Sequence, residues 1–160
     1  MSGRAVEALV AAGIEYRPIE HGPVRSVAEA AAARGVEIPD VVKTIVVRRG
    51  DNDYVFVLIP GDRVISWPKL RGLLGVNRLS MPDARTAKDA TGYERGTITP
   101  FGSTQAWPVV VDERIRGRQI TLGAGQHGLA VAVDADLALL ALDAQFADVS
   151  EPEAASEPEE

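Results

Sequence analysis

The feature that most limits how this chain can fold is the unbroken apolar run from Tyr54 to Ile59. A strand exposed on one face alternates apolar and polar residues, so a run apolar on both faces belongs in the middle of a sheet, covered on both sides. Just upstream, Val41 to Val47 is β-branched and strand-like, and Asp51–Asn52 supplies a turn between the two. The pair is expected to form a hairpin whose second strand is central.

Helices and further strands alternate around this hairpin. Val6, Leu9 and Val10 fall on one stripe of a helix from Arg4 to Ala12, ended by Gly13. Ile14 to Ile19 follows as a short strand. Ser26 to Glu29 has capping-box spacing and opens an alanine-rich helix that ends at Gly35. Helices are also expected from Ser66 to Leu74, from Asp83 to Thr91 and from Ala135 to Leu142. Strands are expected at Asn77 to Met81, Val109 to Asp112, Gln119 to Leu122, Leu129 to Val133 and Phe146 to Val149, with a turn around Gly117. Many short strands joined by tight turns, with helices between them, point to an α+β fold. Its sheet is expected to be mixed, mostly antiparallel and curled into a partial barrel, with the helices outside.

At 160 residues and 46% hydrophobic, the chain suffices for one compact domain. That domain is expected to end at residue 149, leaving 150–160 as an acidic disordered tail. Residues 151–160 hold five glutamates and no base, and cannot bury apolar area. Removing these five from the net charge of −6 leaves −1 for the rest. In that near-neutral body, basic residues gather at Arg48/Arg49, at Arg63–Lys69–Arg71 and at Arg114–Arg116–Arg118. Such clusters permit local RNA contact, whereas binding through a broad basic face, as to DNA, is not expected. No apolar run reaches the ~20 residues that span a bilayer, and no secretory pattern opens the chain. A soluble cytoplasmic protein with no membrane partner is expected.

The chemistry available is limited. Without cysteine there is no thiolate catalysis and no thiolate-bound metal. There is no nucleophile elbow, no glycosidase-like carboxylate pair and no metal-ligand constellation, so neither metal nor cofactor is expected. Three places remain. Lys43 shares a strand face with Ile45 and Val47, where an ammonium either reaches solvent at the strand's start or points into a pocket to hold an anion or polarise a carbonyl. The stretch Thr91 to Gly102 has three glycines and a proline, and its amides could approach a phosphate, a ribose or an oxyanion, or it could be only a long turn. Gly123 to Gly128 satisfies the dinucleotide pattern GxGxxG, but a strand-like segment follows where that motif needs a helix. It is expected to be a loop that lines a pocket, with His127 either facing a ligand or lying on the surface. His21 stands next to the turn pair Gly22–Pro23. Hydrolysis of an already activated ester suits such limited equipment.

Taken in order, these segments resemble one family. His21 to Val24 running into Ser26–Ala31 is similar to its N-terminal signature, Val42 to Val47 to its lysine strand, and Thr91–Gly92–Tyr93 with Gly96 to Gly102 to its glycine–proline loop. Pro108 to Asp112 and Gly123 to Gly128 follow in the expected places. The family is the YbaK type of prolyl-tRNA-synthetase-associated editing domain, and the resemblance covers roughly residues 14–149. It implies a trans-editing aminoacyl-tRNA deacylase that cleaves the ester of mischarged tRNA, chiefly proline tRNA carrying cysteine, alanine or another small residue. Attack by water or by a group of the substrate itself would suffice.

The resemblance further implies Lys43 as the catalytic lysine, at the ester or the terminal adenosine. It implies substrate contacts from His21, Thr44, Gly92, Gly96, Thr97, Ile98, Thr99, Pro100, Phe101, Gly123, Gly125 and His127, with the Gly96–Pro100 loop cradling the terminal ribose. The expected partners are the 3′ acceptor end of an aminoacyl-tRNA and a prolyl-tRNA synthetase or elongation factor that delivers it. Arg95 beside Gly96 departs from the glycine pair of many relatives, and His127 stands where some carry arginine or another polar residue. The alternative reading is a non-catalytic regulatory module that binds tRNA or an aminoacyl nucleotide. A third, a hydrolase of small free esters, requires activity without tRNA.

Overall fold

The computed structural model describes residues 3–153. The hairpin at its centre consists of β2 (Val42–Gly50) and β3 (Asp53–Pro60), paired antiparallel from Val42↔Pro60 to Gly50↔Asp53, with Asn52 at φ 55° in the turn. On its other edge β3 pairs in parallel with β5 (Val109–Asp112), which in turn pairs in parallel with β8 (Gln145–Ala147). The apolar run is thus central, as its two-sided hydrophobicity requires. Phe56 and Leu58 join one core, while Val55, Val57 and Ile59 join a second core on the opposite face.

A second sheet places β7 (Leu129–Asp134) between β1 (Arg17–Glu20) and β6 (Gln119–Gly123), with both pairings antiparallel. One described backbone bridge, Val41 to Thr121, joins the two sheets, whose side chains share a core. The fold is α+β with mixed, mostly antiparallel pairing. Where one curled sheet was expected, the described strands form separate sheets of three, four and two strands. The strands on either side of Gly117 do not pair with each other: a 3₁₀ turn at Glu113–Ile115 carries the chain from the four-stranded sheet to the three-stranded one.

Among the described residues five helices pack on these sheets, and all but the first open on a side-chain cap. In α1 (Arg4–Ala11), Ala5, Val6 and Leu9 are buried. The helix α2 (Val27–Arg34) is capped by Ser26 Oγ, which accepts from Glu29 N at 3.1 Å, and closes on Gly35 at φ 72°. Ser66 caps α3 (Trp67–Leu74) and Asp83 caps α4 (Ala84–Thr91) in the same way. Asp134 caps α5 (Ala135–Ala141).

Three expectations need correction. Asn77 to Met81 is not a strand: only Ser80 bridges, to Arg48, and one bridge makes no ladder. Arg63–Ile65 forms an unforeseen strand, β4, paired antiparallel with β9 (Ser150–Pro152). The ordered chain therefore runs past residue 149, into the segment expected to be tail. Arg63 secures the pair by donating from Nε to Ser150 Oγ at 2.6 Å. The disorder expected for the tail beyond residue 153 concerns residues 154–160, which lie outside the described residues. No described helix is long and apolar enough to cross a membrane.

Candidate active site

The edge of β2 that does not face β3 borders a cavity of about 480 Å³. Val41 to Val46 form one wall, Ala84 and Ala87 of α4 with Met81 and Pro82 another, and Arg34, Arg95, Gly96, Ile98 and Gly123 the rest. A second cavity of about 690 Å³ lies between His21–Val24 and Gln126–Leu129. Three residues line both: Arg34, Gly96 and Gly123. The arrangement is therefore two adjoining, mainly apolar chambers that meet at an arginine and two glycines.

Alternation along β2 puts neighbouring side chains on opposite faces. Thr44 shares a face with Val42 and Val46, which belong to the core that includes Ala87 of α4. Its hydroxyl is buried with no hydrogen-bond partner. Lys43 shares the other face with Ile45 and Val47, as the sequence implies. It lines the cavity, yet its Nζ donates to the backbone carbonyl of Arg63. Burial pulls the Lys43 ammonium below its ordinary range, against the opposing charges of Glu153 and Asp62.

Of the glycine–proline loop, Gly96 and Ile98 face the cavities. Thr97, Thr99, Pro100 and Phe101 are buried and line neither. Thr97 Oγ1 donates to Glu94 O at 2.7 Å, and Thr99 Oγ1 accepts from Phe101 N at 3.3 Å. These residues shape the loop by satisfying its own backbone. Gly92 caps α4 at φ 82°, and Gly125 N donates to Thr97 O at 2.9 Å, tying the two loops together.

His21 and His127 both line the second chamber. His21 N donates to Gly128 O at 3.0 Å, which fixes the end of β1 against the start of β7. His127 Nε2 lies 3.2 Å from Glu94 Oε1, with both side chains exposed. That hydrogen bond, followed by one from Lys88, holds the Glu94 carboxyl below its ordinary range. The stretch Gly123 to Gly128 leads into β7 and not into a helix, which disposes of it as a dinucleotide motif. No group of three or more His, Asp or Glu among the described residues could hold a metal ion.

The residue that sequence reasoning misses is Arg34. It ends α2, where a basic residue is read as a partner for the helix dipole. In the fold its Nη1 donates to Thr121 Oγ1 at 3.0 Å, 87 residues away, while Nε is buried without a partner. No carboxylate among the described residues pairs with it, and burial lowers its proton affinity. A half-buried guanidinium at the neck between two chambers is a site for an anion or a developing negative charge.

Residues 21–139 match the family described as the aminoacyl-tRNA editing domain. The chain is 35% identical over 101 residues to a proline–tRNA ligase of Thermosipho melanesiensis, which covers 62% of this chain and 18% of that protein. With the proline–tRNA ligase of Thermosipho africanus it shares 31% identity over 117 residues, 71% of this chain and 20% of that one. It spans about a fifth of the length of these relatives. Among solved structures, a candidate trans-editing enzyme for prolyl tRNA synthetase superposes with TM-score 0.85 at 25% identity, covering 92% of this chain and 95% of that one. The hypothetical protein APE2540 superposes with TM-score 0.85 at 29% identity, over 93% and 100% of the two chains.

Proposed function

The chain belongs to the aminoacyl-tRNA editing domain family, and from that premise we propose that it is a trans-editing deacylase, hydrolysing the ester of mischarged tRNA in the cytoplasm. The proposed substrate is proline tRNA carrying alanine, cysteine or another small residue, delivered by a prolyl-tRNA synthetase or an elongation factor. The observation that carries the reading is the meeting of two chambers at Arg34, Gly96 and Gly123. An aminoacyl ester has the same layout: a small side chain on one side, a ribose on the other and the scissile carbonyl between them. The need is physical, since a synthetic site rejects a slightly smaller side chain by only ~10–200-fold.

In this reading the amino-acid side chain occupies the chamber lined by Thr44, Ile98 and Ala87, and the terminal nucleoside lies against His21 and His127. Lys43 spends one donor on Arg63, and its remaining donors serve the ester end. Arg34 receives the negative charge that develops on the carbonyl oxygen. Water, hydrogen-bonded to a hydroxyl of the substrate, attacks the carbonyl carbon and gives up a proton. The carbonyl π pair moves to oxygen, and collapse of that intermediate expels the ribose oxygen, which takes a proton.

The test is deacylation of proline tRNA charged separately with alanine, cysteine, serine and proline. Rapid loss of one mischarged form with the prolyl form spared is the expected result. Hydrolysis of small free esters equal to that of tRNA would remove the tRNA from the reading. No hydrolysis of any species by folded protein would replace the enzyme with a binding module.

A further inference from the structure

A second site lies at the far end of β2. There a cleft of about 540 Å³ is lined by Arg48, Arg49, Arg71 and Arg78 together with Asn77 and Ser80, and no carboxylate is among its lining residues. Consecutive strand residues ordinarily point to opposite faces, but the register slips between Arg48 and Gly50, and this bulge allows Arg48 and Arg49 to border one cleft. Two backbone bonds then staple the 76–80 segment to the strand: Arg48 N donates to Ser80 O at 2.7 Å, and Ser80 N to Arg48 O at 3.1 Å. They bring Arg78, and Arg71 at the end of α3, alongside.

The cleft carries a charge that the fold does not use up. Arg48 pairs with Asp51 at 2.6 Å, and Arg49 forks onto Asp53 at 3.0 and 3.1 Å. Arg71 and Arg78 make no ion pair among the described residues. With Arg48 and Arg49 paired, Arg71 and Arg78 leave the cleft with about two positive charges unpaired, in a body of net charge about −1.

The cleft is also connected to the candidate active site. An intervening depression shares Arg48 and Ser80 with the cleft, and Met81 and Pro82 with the first chamber. Its own acids are occupied: Asp51 pairs with Arg48, and Asp83 accepts from Thr86 N at 2.8 Å. From Thr44 to Arg48 the strand rises roughly 13 Å, a distance that a short unpaired strand can bridge.

We propose that the Arg48–Arg49–Arg71–Arg78 cleft binds phosphodiester groups of the RNA whose 3′ end occupies the first chamber, so that the strand runs along the free edge of β2. The proposal rests on the deacylase reading. Guanidinium forks suit phosphate oxygens, and contacts of this kind fix register without reading sequence.

The experiment compares wild type with the double variant Arg71→Ala/Arg78→Ala, which leaves the ion pairs of the bulge intact. Two ester substrates are used: full-length aminoacyl-tRNA, and an aminoacyl-adenosine too short to reach the cleft. For the tRNA, KM is expected to rise about tenfold with kcat unchanged, and the salt dependence of log KM to become shallower by about 1.4–1.8. The aminoacyl-adenosine should be hydrolysed at the wild-type rate. An unchanged KM for tRNA, or equal losses on both substrates, would overturn the proposal.

Binding of an acceptor-stem RNA hairpin with an unpaired 3′ end, followed by fluorescence anisotropy, separates this inference from the one beneath it. Protein that hydrolyses neither ester defeats the deacylase reading. If the hairpin is nevertheless bound with wild-type affinity by the double variant, the cleft assignment fails on its own account. Inorganic phosphate or an acidic peptide competing as well as the hairpin at equal charge would likewise defeat it.

Discussion

Replacing Arg34 by leucine is expected to lower kcat for deacylation by about 10²–10³, the usual cost of removing one donor from a developing oxyanion, while KM changes little. The split follows from its place. A group that acts on charge present only in the transition state affects kcat and kcat/KM equally, whereas one that grips the bound nucleotide raises KM. The same substitution should not destabilise the fold. Arg34 has one described hydrogen bond, to Thr121, and its Nε is buried without an acceptor, a state that costs about 1–3 kcal/mol. The thermal midpoint of Arg34→Leu should therefore equal or exceed that of wild type, so that lost activity cannot be put down to unfolding. Lys43→Ala is the necessary companion. It should lower kcat/KM and also cost stability, about 1 kcal/mol, by leaving the Arg63 carbonyl without its donor. If Lys43→Ala abolishes turnover and Arg34→Leu does not, the oxyanion role passes to Lys43. Full activity in both variants would remove both side chains from the chemistry.

The difference between these residues shows where the sequence is legible. The face of Lys43 follows from period-2 alternation, a local rule, and Val42 to Val47 obeys it. Ser26, Ser66 and Asp83 are readable as caps because a cap is settled within four residues. Arg34 is not readable: its neighbours Thr121, Gly96 and Gly123 come to it only through long-range folding. The same holds for β4 and β9, three-residue strands that pair across more than 80 residues of sequence, with Arg63 bonded to Ser150. Asn77 to Met81 errs in the other direction, with strand-like residues that have one bridge partner and no ladder. In the glycine–proline loop, composition allows either a loop that approaches a ligand or a plain long turn, and only packing reveals that Thr97 and Thr99 turn inward while Gly96 and Ile98 face the cavities.

Gly125→Ala is expected to be among the most damaging single-methyl additions in the chain. Gly125 has φ 83°, where an L-residue is strained by roughly 1–2 kcal/mol. A β-carbon there would also lie 2.5 Å from Tyr93 Cε1 and 3.1 Å from Cδ1. The ring cannot swing aside freely. Tyr93 is buried, its hydroxyl donates to Phe101 O at 2.6 Å, and the Arg4 guanidinium stands 4.7 Å from its centroid. Overpacking of this kind adds about 1–3 kcal/mol, for a combined loss of about 2–5 kcal/mol and a fall in Tm of about 5–15 °C in a domain of this size. Gly117→Ala isolates the conformational share, since Gly117 has φ 78° with nothing within 4 Å of its added carbon. Because Gly125 N also donates to Thr97 O, displacement of this loop reaches Gly96 and Gly123 at the neck of the site. Deacylation by Gly125→Ala, measured well below its Tm, should therefore fall below that of Gly117→Ala. Equal midpoints and equal rates for the two variants would mean that Tyr93 yields to the methyl group and that the loops at the neck are not rigidly joined.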